Sequence, residues 1–338
     1  MKYFIVASLL VFISCGNEPL ELTALQGNAF GTTYSIQYYS TTAFDAEKGV
    51  DSVIYAVNKS VSTYMPESDI SKINEGDTTI VVDAIFKEVF RLSEVVYTNS
   101  QHYFDPTVGV LRNAYGFGDT AALKTLDQKV IDSLMQFVGF DKVSIQNDGT
   151  VLKEHPEIYF DFNAVAKGYG IDLIGHYLSS QGVENFLIEL GGEVVAKGYH
   201  VSKNKLWTVG VEHPDSKLSD RMATAAIKLD DKGMAGSGNY RKFRIDSLTG
   251  KKFVHTLNPL TGSANQNNMT SATVIASSCA EADAYATACM ALGFDAAKKM
   301  IEQTEGVEAY LTYIEKDTAA AVFITERFKN MMLDSLAL

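Results

Sequence analysis

Phe186-Leu187-Ile188-Glu189-Leu190, followed after two glycines by Glu193-Val194-Val195-Ala196-Lys197-Gly198-Tyr199-His200, opens the half of the chain whose reading decides the fold. Both runs read as strands. More follow at residues 206–212, 224–229, 233–237, 271–276, 308–314 and 319–324, with a hairpin at 240–246 and 252–256 around Thr249-Gly250. The helices expected here are 279–292 and 295–304. Upstream the balance reverses. Helices are expected at 45–60, 68–74, 127–138 and 164–181. Another is expected at 81–99, where Val82, Ile85, Val89, Leu92, Val95 and Val96 recur mostly three or four apart. A strand at 28–39, a hairpin turning at Asn147-Asp148-Gly149 and a strand at 158–162 complete that half, and 103–118 reads as a loop. Helices cluster early and strands late without strict alternation. This predicts an α+β fold, antiparallel sheets flanked by helices, rather than a doubly wound parallel sheet. One domain with two lobes is expected over residues 25–338.

The 338 residues are 46% hydrophobic and 21% charged, enough for a substantial core. The net charge of -12 and the lack of a Lys/Arg stripe argue against a nucleic-acid partner. Lys2, an apolar run over residues 3–13 and Ser14-Cys15-Gly16 have the layout of an export signal. The run is about half the length that spans a bilayer. The segment resembles a bacterial lipoprotein signal, apart from Phe12 where such signals usually carry Leu. In that reading residues 1–14 are removed, Cys15 carries the lipid, and 15–24 form a tether; the alternative is a plain cleaved signal with an incidental cysteine. The expected location is the bacterial cell envelope, facing the periplasm and anchored to a membrane. Cys279 and Cys289 lie ten apart in one helix, about 15 Å along its axis and beyond disulfide reach. Both read as small buried residues.

Four segments carry the chemistry. In Ser277-Ser278-Cys279-Ala280-Glu281-Ala282-Asp283-Ala284-Tyr285-Ala286-Thr287-Ala288, Ser278 and Glu281 have capping-box spacing. Asp283 and Thr287 share one face of a helix otherwise rich in Ala. Such an Asp needs a partner, and with a Thr hydroxyl it offers hard oxygen ligation suited to Mg²⁺. An Asp near a helix start also serves the helix dipole. In Asp161-Phe162-Asn163-Ala164-Val165-Ala166-Lys167-Gly168 a strand runs into a helix, with Asn163 as the expected cap. Free N–H groups there suit phosphate, and Lys167 on the first turn suits an anion. A packed turn with a solvent-facing lysine fits equally. His255-Thr256-Leu257-Asn258-Pro259 is a strand ending in a turn, with His255 as a candidate base or a structural histidine. Tyr103-Phe104-Asp105-Pro106-Thr107-Val108-Gly109 offers either a slot for a planar ring or the apolar lining of a loop.

Taken in order, these segments resemble the FAD:protein FMN transferase, or ApbE, family. Further blocks carry the likeness: Gly31-Thr32-Thr33-Tyr34, Ser62-Thr63-Tyr64, Gly116-Phe117-Gly118, Leu190-Gly191-Gly192-Glu193, Trp207-Thr208-Val209-Gly210-Val211 with Pro214, and Gly236-Ser237-Gly238-Asn239-Tyr240. The resemblance implies that Asp283, Thr287 and the carbonyl of Ala164 bind Mg²⁺. It implies that Phe30, Tyr64, Tyr103, Phe104, Asp105, Asp161, Lys167 and Thr256 line the FAD site, and that His255 is the base. It also implies transfer of FMN from FAD to a Thr or Ser hydroxyl of an acceptor protein, with release of AMP. The family's acceptors include subunits of sodium-translocating NADH:quinone reductase and Rnf-type complexes. Two departures stand out: Asn258 where many relatives have Asp, and Ala286 where some have a second acidic ligand. Hydrolysis of FAD to FMN and AMP, and flavin binding without catalysis, are the alternative readings.

Overall fold

The computed structural model describes residues 20–123, 126–212, 222–239, 243–245, 250, 252–315 and 319–333. The lipoprotein signal with Cys15, Pro214, and residues 240–242 and 246 of the expected hairpin lie outside the described residues.

The chain opens with β1 (Glu21–Ala29) and β2 (Thr32–Ser40), paired antiparallel down to Ala29↔Thr32. Phe30 and Gly31 close this hairpin at φ 50° and 77°, the positive values that a two-residue type I′ turn requires. The single strand expected at 28–39 is therefore two strands. β1 is an edge strand with mostly exposed side chains, so its backbone pairing leaves no apolar pattern to read. It also reaches into residues 21–24 of the segment read as a tether.

Next come α1 (Ala46–Val61), α2 (Asp69–Asn74), α3 (Ala84–Asn99), α4 (Gly109–Tyr115) and α5 (Gln128–Met135). β3 (Val143–Ile145) and β4 (Val151–Lys153) form the small hairpin, and α6 (Ala166–Ser180) follows. Then come β5 (Asn185–Leu190), β6 (Glu193–Lys197), β7 (Tyr199–His200), β8 (Lys205–Glu212), β9 (Ala223–Leu229) and β10 (Lys232–Gly238). After these lie β11 (Phe243–Ile245), β12 (Lys252–Val254), β13 (Met269–Ala276), α7 (Cys279–Leu292) and α8 (Phe294–Gln303). The described chain ends with β14 (Glu308–Glu315), β15 (Ala319–Ile324) and α9 (Glu326–Met331).

The main sheet runs β1-β2-β5-β6-β10-β13-β14-β15, and every neighbouring pair is antiparallel. The fold is thus α+β, as the distribution of helices and strands predicts. Alternation sorts side chains to the two faces. Ala235 of β10 and Ala272 and Val274 of β13 join the core beneath α6 and α7. Met234 and Ile275 join the opposite core with Trp207, Val209 and Phe328, beneath the small β7-β8-β9 sheet.

Two local differences have clear causes. Residues 158–162 are extended but form only an isolated bridge, Val108↔Tyr159. The Asn74 side chain takes the place of a neighbouring strand: its Nδ2 donates to Phe160 O at 2.9 Å and its Oδ1 accepts from Phe160 N at 2.8 Å. The expected loop at 103–118 contains α4, which ends on Gly116 in the left-handed region.

Candidate active site

The starts of α6 and α7 touch. A Cβ on Gly168 would lie 2.4 Å from Cys279 O, and one on Gly233 of β10 would lie 2.2 Å from Cys279 N. Both positions therefore need glycine so that helix, helix and strand can close on one another. Asp172 of α6 reaches across and accepts from Cys279 N at 2.9 Å and Ala280 N at 2.8 Å. Ser278 adds the expected N-cap, its Oγ accepting from Glu281 N. Burial raises the Asp172 carboxyl to about 6, and its two backbone hydrogen bonds oppose that rise.

This contact sets Asp283 against the first turn of α6. Its Oδ2 accepts from Gly168 N at 3.3 Å. Burial raises the Asp283 carboxyl above the ordinary range; Lys167 opposes the rise and Glu193 adds to it. Lys167 forms an ion pair with Glu193. Burial alone would lower the ammonium's pKa, but the Glu193 and Asp283 carboxylates outweigh it and hold the group protonated. Glu193 Oε2 is buried without a hydrogen-bond partner. One turn beyond Asp283, Thr287 Oγ1 lies 3.4 Å from Ser237 Oγ.

The expected cap of α6 is not made. The helix starts at Ala166, two residues later than expected, with Val165 as N-cap and no capping side chain. Asn163 instead takes part in a turn, where its N–H donates to Asp161 Oδ1 at 2.9 Å and its Nδ2 is buried without a partner. The strand residue before the turn does not run straight into the helix, so the cap position shifts along the chain. Ala166 N donates to Phe162 O and Gly168 N to Asp283, so the unpaired Asn163 amide and the Lys167 ammonium are what this helix start offers an anion. Asp161 is paired with Arg112 of α4, whose Nη2 also donates to Phe117 O at 3.1 Å.

Arg112, Asp161, Asn163, Lys167, Glu193, Ser237, Asp283 and Thr287 face one cavity of about 560 Å³, within the range of roughly 300–1,000 Å³ that is usual for ligand sites. Every site residue expected from the sequence lines it. Asp283, Thr287 and Ala164 stand on one wall with Lys167 and Asp161. Phe30, Tyr64, Tyr103, Phe104 and Asp105 supply aromatic and carboxyl groups, and His255 and Thr256 enter from the end of β12. Phe30 reaches in from its hairpin turn, where its ring fills the space a side chain at Gly170 would occupy. Asp105 accepts from Thr107 N and Oγ1 and from Phe140 N; burial raises its carboxyl to about 6. Asn258 closes the turn after Thr256, its Oδ1 accepting from Leu260 N and Thr261 N. An Asn does that as well as an Asp.

Arg112 and Glu193 also line the cavity but have no assigned role in the sequence reading. Arg112 lies on the helix that reads as loop. Glu193 is quoted in a matching block, but its lysine partner is visible only once β6 meets α6.

Among the described residues no three His, Cys, Asp or Glu side chains cluster as a metal cage. The expected donor residues Asp283, Thr287 and Ala164 all line the cavity, as does Glu193 with its buried unpaired oxygen. That set fits Mg²⁺, which commonly takes one or two carboxylates and completes its shell with water and substrate phosphates.

Comparison with known proteins agrees with this geometry. The chain matches the ApbE family over residues 30–311. It is 30% identical to the FAD:protein FMN transferase of Haemophilus influenzae, over 96% of each chain. It is also 30% identical to that of Vibrio cholerae, over 97% of each. Among solved structures, the flavin transferase ApbE of Vibrio cholerae superposes with a TM-score of 0.81 at 28% identity, covering 93% of this chain and 100% of the other. The flavinyl transferase ApbE of Pseudomonas stutzeri in its apo form gives 0.81 at 26% identity, covering 92% and 97%. With the match spanning most of the sequence and both lobes of the cavity wall, the chain belongs to the ApbE family.

Proposed function

We infer that the chain is a FAD:protein FMN transferase that moves FMN to a Thr or Ser hydroxyl of an acceptor protein. The observation that carries this is the convergence, in one cavity, of an uncapped helix start, two cations and a carboxylate–hydroxyl–carbonyl set beside a cluster of aromatic rings.

Each group has work to do there. Phe30, Tyr64, Tyr103 and Phe104 offer ring faces and edges to the isoalloxazine. Lys167, Arg112 and the unpaired amide of Asn163 meet the pyrophosphate. Asp105, Asp161 and Thr256 supply hydrogen bonds that orient the dinucleotide. Asp283, Thr287 and the carbonyl of Ala164 would hold Mg²⁺. When bound, Mg²⁺ supplies charge neutralisation of the pyrophosphate. The acceptor oxygen bonds to the phosphorus next to riboflavin, and the bond from that phosphorus to the bridging oxygen breaks. AMP leaves with the electron pair, and His255 takes the hydroxyl proton.

The proposed acceptors are subunits of membrane redox pumps, such as sodium-translocating NADH:quinone reductase or an Rnf-type complex. Lipidation at Cys15 would confine the enzyme to the envelope surface that carries them, raising its effective concentration there. The test is mass spectrometry of such a subunit after incubation with enzyme, FAD and Mg²⁺. An added FMN phosphoester on one Thr- or Ser-containing peptide is expected. Rapid multiple-turnover release of FMN and AMP, with every acceptor left unmodified, would assign hydrolysis instead.

A further inference from the structure

A second cavity, of about 340 Å³, lies on the opposite face of the sheet from α7. Leu187, Val194, Val209 and Met234 form its apolar walls. It meets the first cavity at Gly236 and Ser237, which line both. Ser237 Oγ in turn lies 3.4 Å from Thr287 Oγ1. The second cavity therefore ends next to the proposed phosphate and metal site.

At this junction β10 runs past the start of β6 at Glu193. β10 pairs with β6 only from Lys232↔Ala196 to Met234↔Val194, but stays paired with β13 as far as Gly238↔Ser271. Among the described residues, 235–238 have no strand neighbour on the β6 side. Gly236 lies at the centre of this free edge. Its φ is not in the left-handed region, and a Cβ there would meet nothing nearer than Thr273 Oγ1 at 4.0 Å. Neither backbone conformation nor packing requires glycine here, unlike at Gly168 and Gly233. The missing side chain keeps the junction of the two cavities open.

Transfer needs two substrates at one phosphorus. A dinucleotide occupying the first cavity leaves the acceptor to approach from another side. We propose that the second cavity receives the acceptor: an extended segment of small residues adds along the free edge of β10 and presents its target hydroxyl past Gly236. Gly192 and Gly210 on the walls leave room for a backbone but not for bulky side chains. A lipid or other wholly apolar occupant would leave the strand edge unpaired, whereas a peptide pairs with it. The bonds made and broken are those of the transfer itself, so no further reagent is needed. The inference rests on the transferase reading above.

Ala223, at the start of β9, lines the second cavity and not the first. The probe is the redox-pump subunit on which the wild-type enzyme deposits FMN. Ala223→Phe is expected to raise the KM for that subunit about tenfold or more. The KM for FAD and the rate of FAD hydrolysis without acceptor stay unchanged. Gly236→Val is expected to weaken transfer as well, and Gly236→Ala, whose methyl has room, to fall between it and the wild type. If Ala223→Phe does not fold, the two Gly236 variants carry the test. Wild-type acceptor KM in the folded variants overturns the inference. A wild-type enzyme that hydrolyses FAD but modifies no acceptor overturns the transferase reading instead, so the two failures are distinct.

Discussion

Asp283 is a fully buried carboxyl whose ionisation burial opposes and Lys167 supports. Removing it relieves a desolvation cost and leaves Lys167 paired with Glu193. Asp283→Ala is therefore expected to keep the fold, with an unchanged or slightly higher Tm, while Mg²⁺-dependent transfer falls by about 100-fold or more. Calorimetric titration of Mg²⁺ into the FAD complex checks the assignment, because undiminished affinity in the variant would sink it. Asp105 gives a pH signature. Its folded pKa, about 6, lies above the unfolded value near 3.8. Between those values the folded state binds the extra proton, so unfolding free energy falls as pH rises from about 4 to 6. The full effect is on the order of 3 kcal/mol. Asp105→Asn should remove its share of this slope, leaving the same-sign contributions of Asp172 and Asp283, as measured by urea unfolding at several pH values. The Asp283–Thr287 pair is legible in sequence because one helix carries both at a spacing of four. Arg112 and Glu193 are not, since their partners, Asp161 and Lys167, come from other segments and meet them only by tertiary packing.

At the scale of elements, the contact between α6 and α7 governs the site. Gly168→Ala puts a methyl 2.4 Å from Cys279 O, a backbone atom that yields only if the helices part. A loss of about 1–3 kcal/mol in stability is expected, with a larger fractional loss of transfer, since Asp283 moves away from Lys167. Denaturant unfolding and activity on the same preparation test this, and a variant of wild-type stability and rate would rule it out. Helices and strands with strong periodicity could be read from the sequence: α3, α7 and β13 lie close to where the pattern puts them. Three features could not. β1 is held by backbone pairing alone. Residues 158–162 are bridged by an asparagine side chain. The start of α6 depends on a turn whose entry is held by tertiary contacts, the Arg112–Asp161 pair and the Pro106 carbonyl.

For the whole molecule, no described helix is long and apolar enough to cross a membrane. In the anchoring proposed above, attachment depends on one acylated residue. Cys15→Ala is expected to shift the protein from the membrane pellet to the soluble fraction after cell lysis, with FAD turnover of the purified protein unchanged. Retention in the pellet after a high-salt wash would refute the lipid anchor. The α+β class was legible because the order of helices and strands along the chain is itself a topological signal. The free edge of β10 was not, because it exists only where β10 runs past the start of β6, a register set by the pairing of two strands distant in sequence.

The cavity wall gathers Phe30 from the first hairpin and Thr287 from a helix near the other end. A growing polypeptide thus holds no partial enzyme at any stage of its synthesis. The late helix must emerge and dock before FAD has a place to sit, so regain of activity on refolding should coincide with global folding and show no early fraction. Contacts this distant along the chain slow that event. Under the export proposed above, the delay keeps FAD-consuming activity silent until the last of these elements has docked.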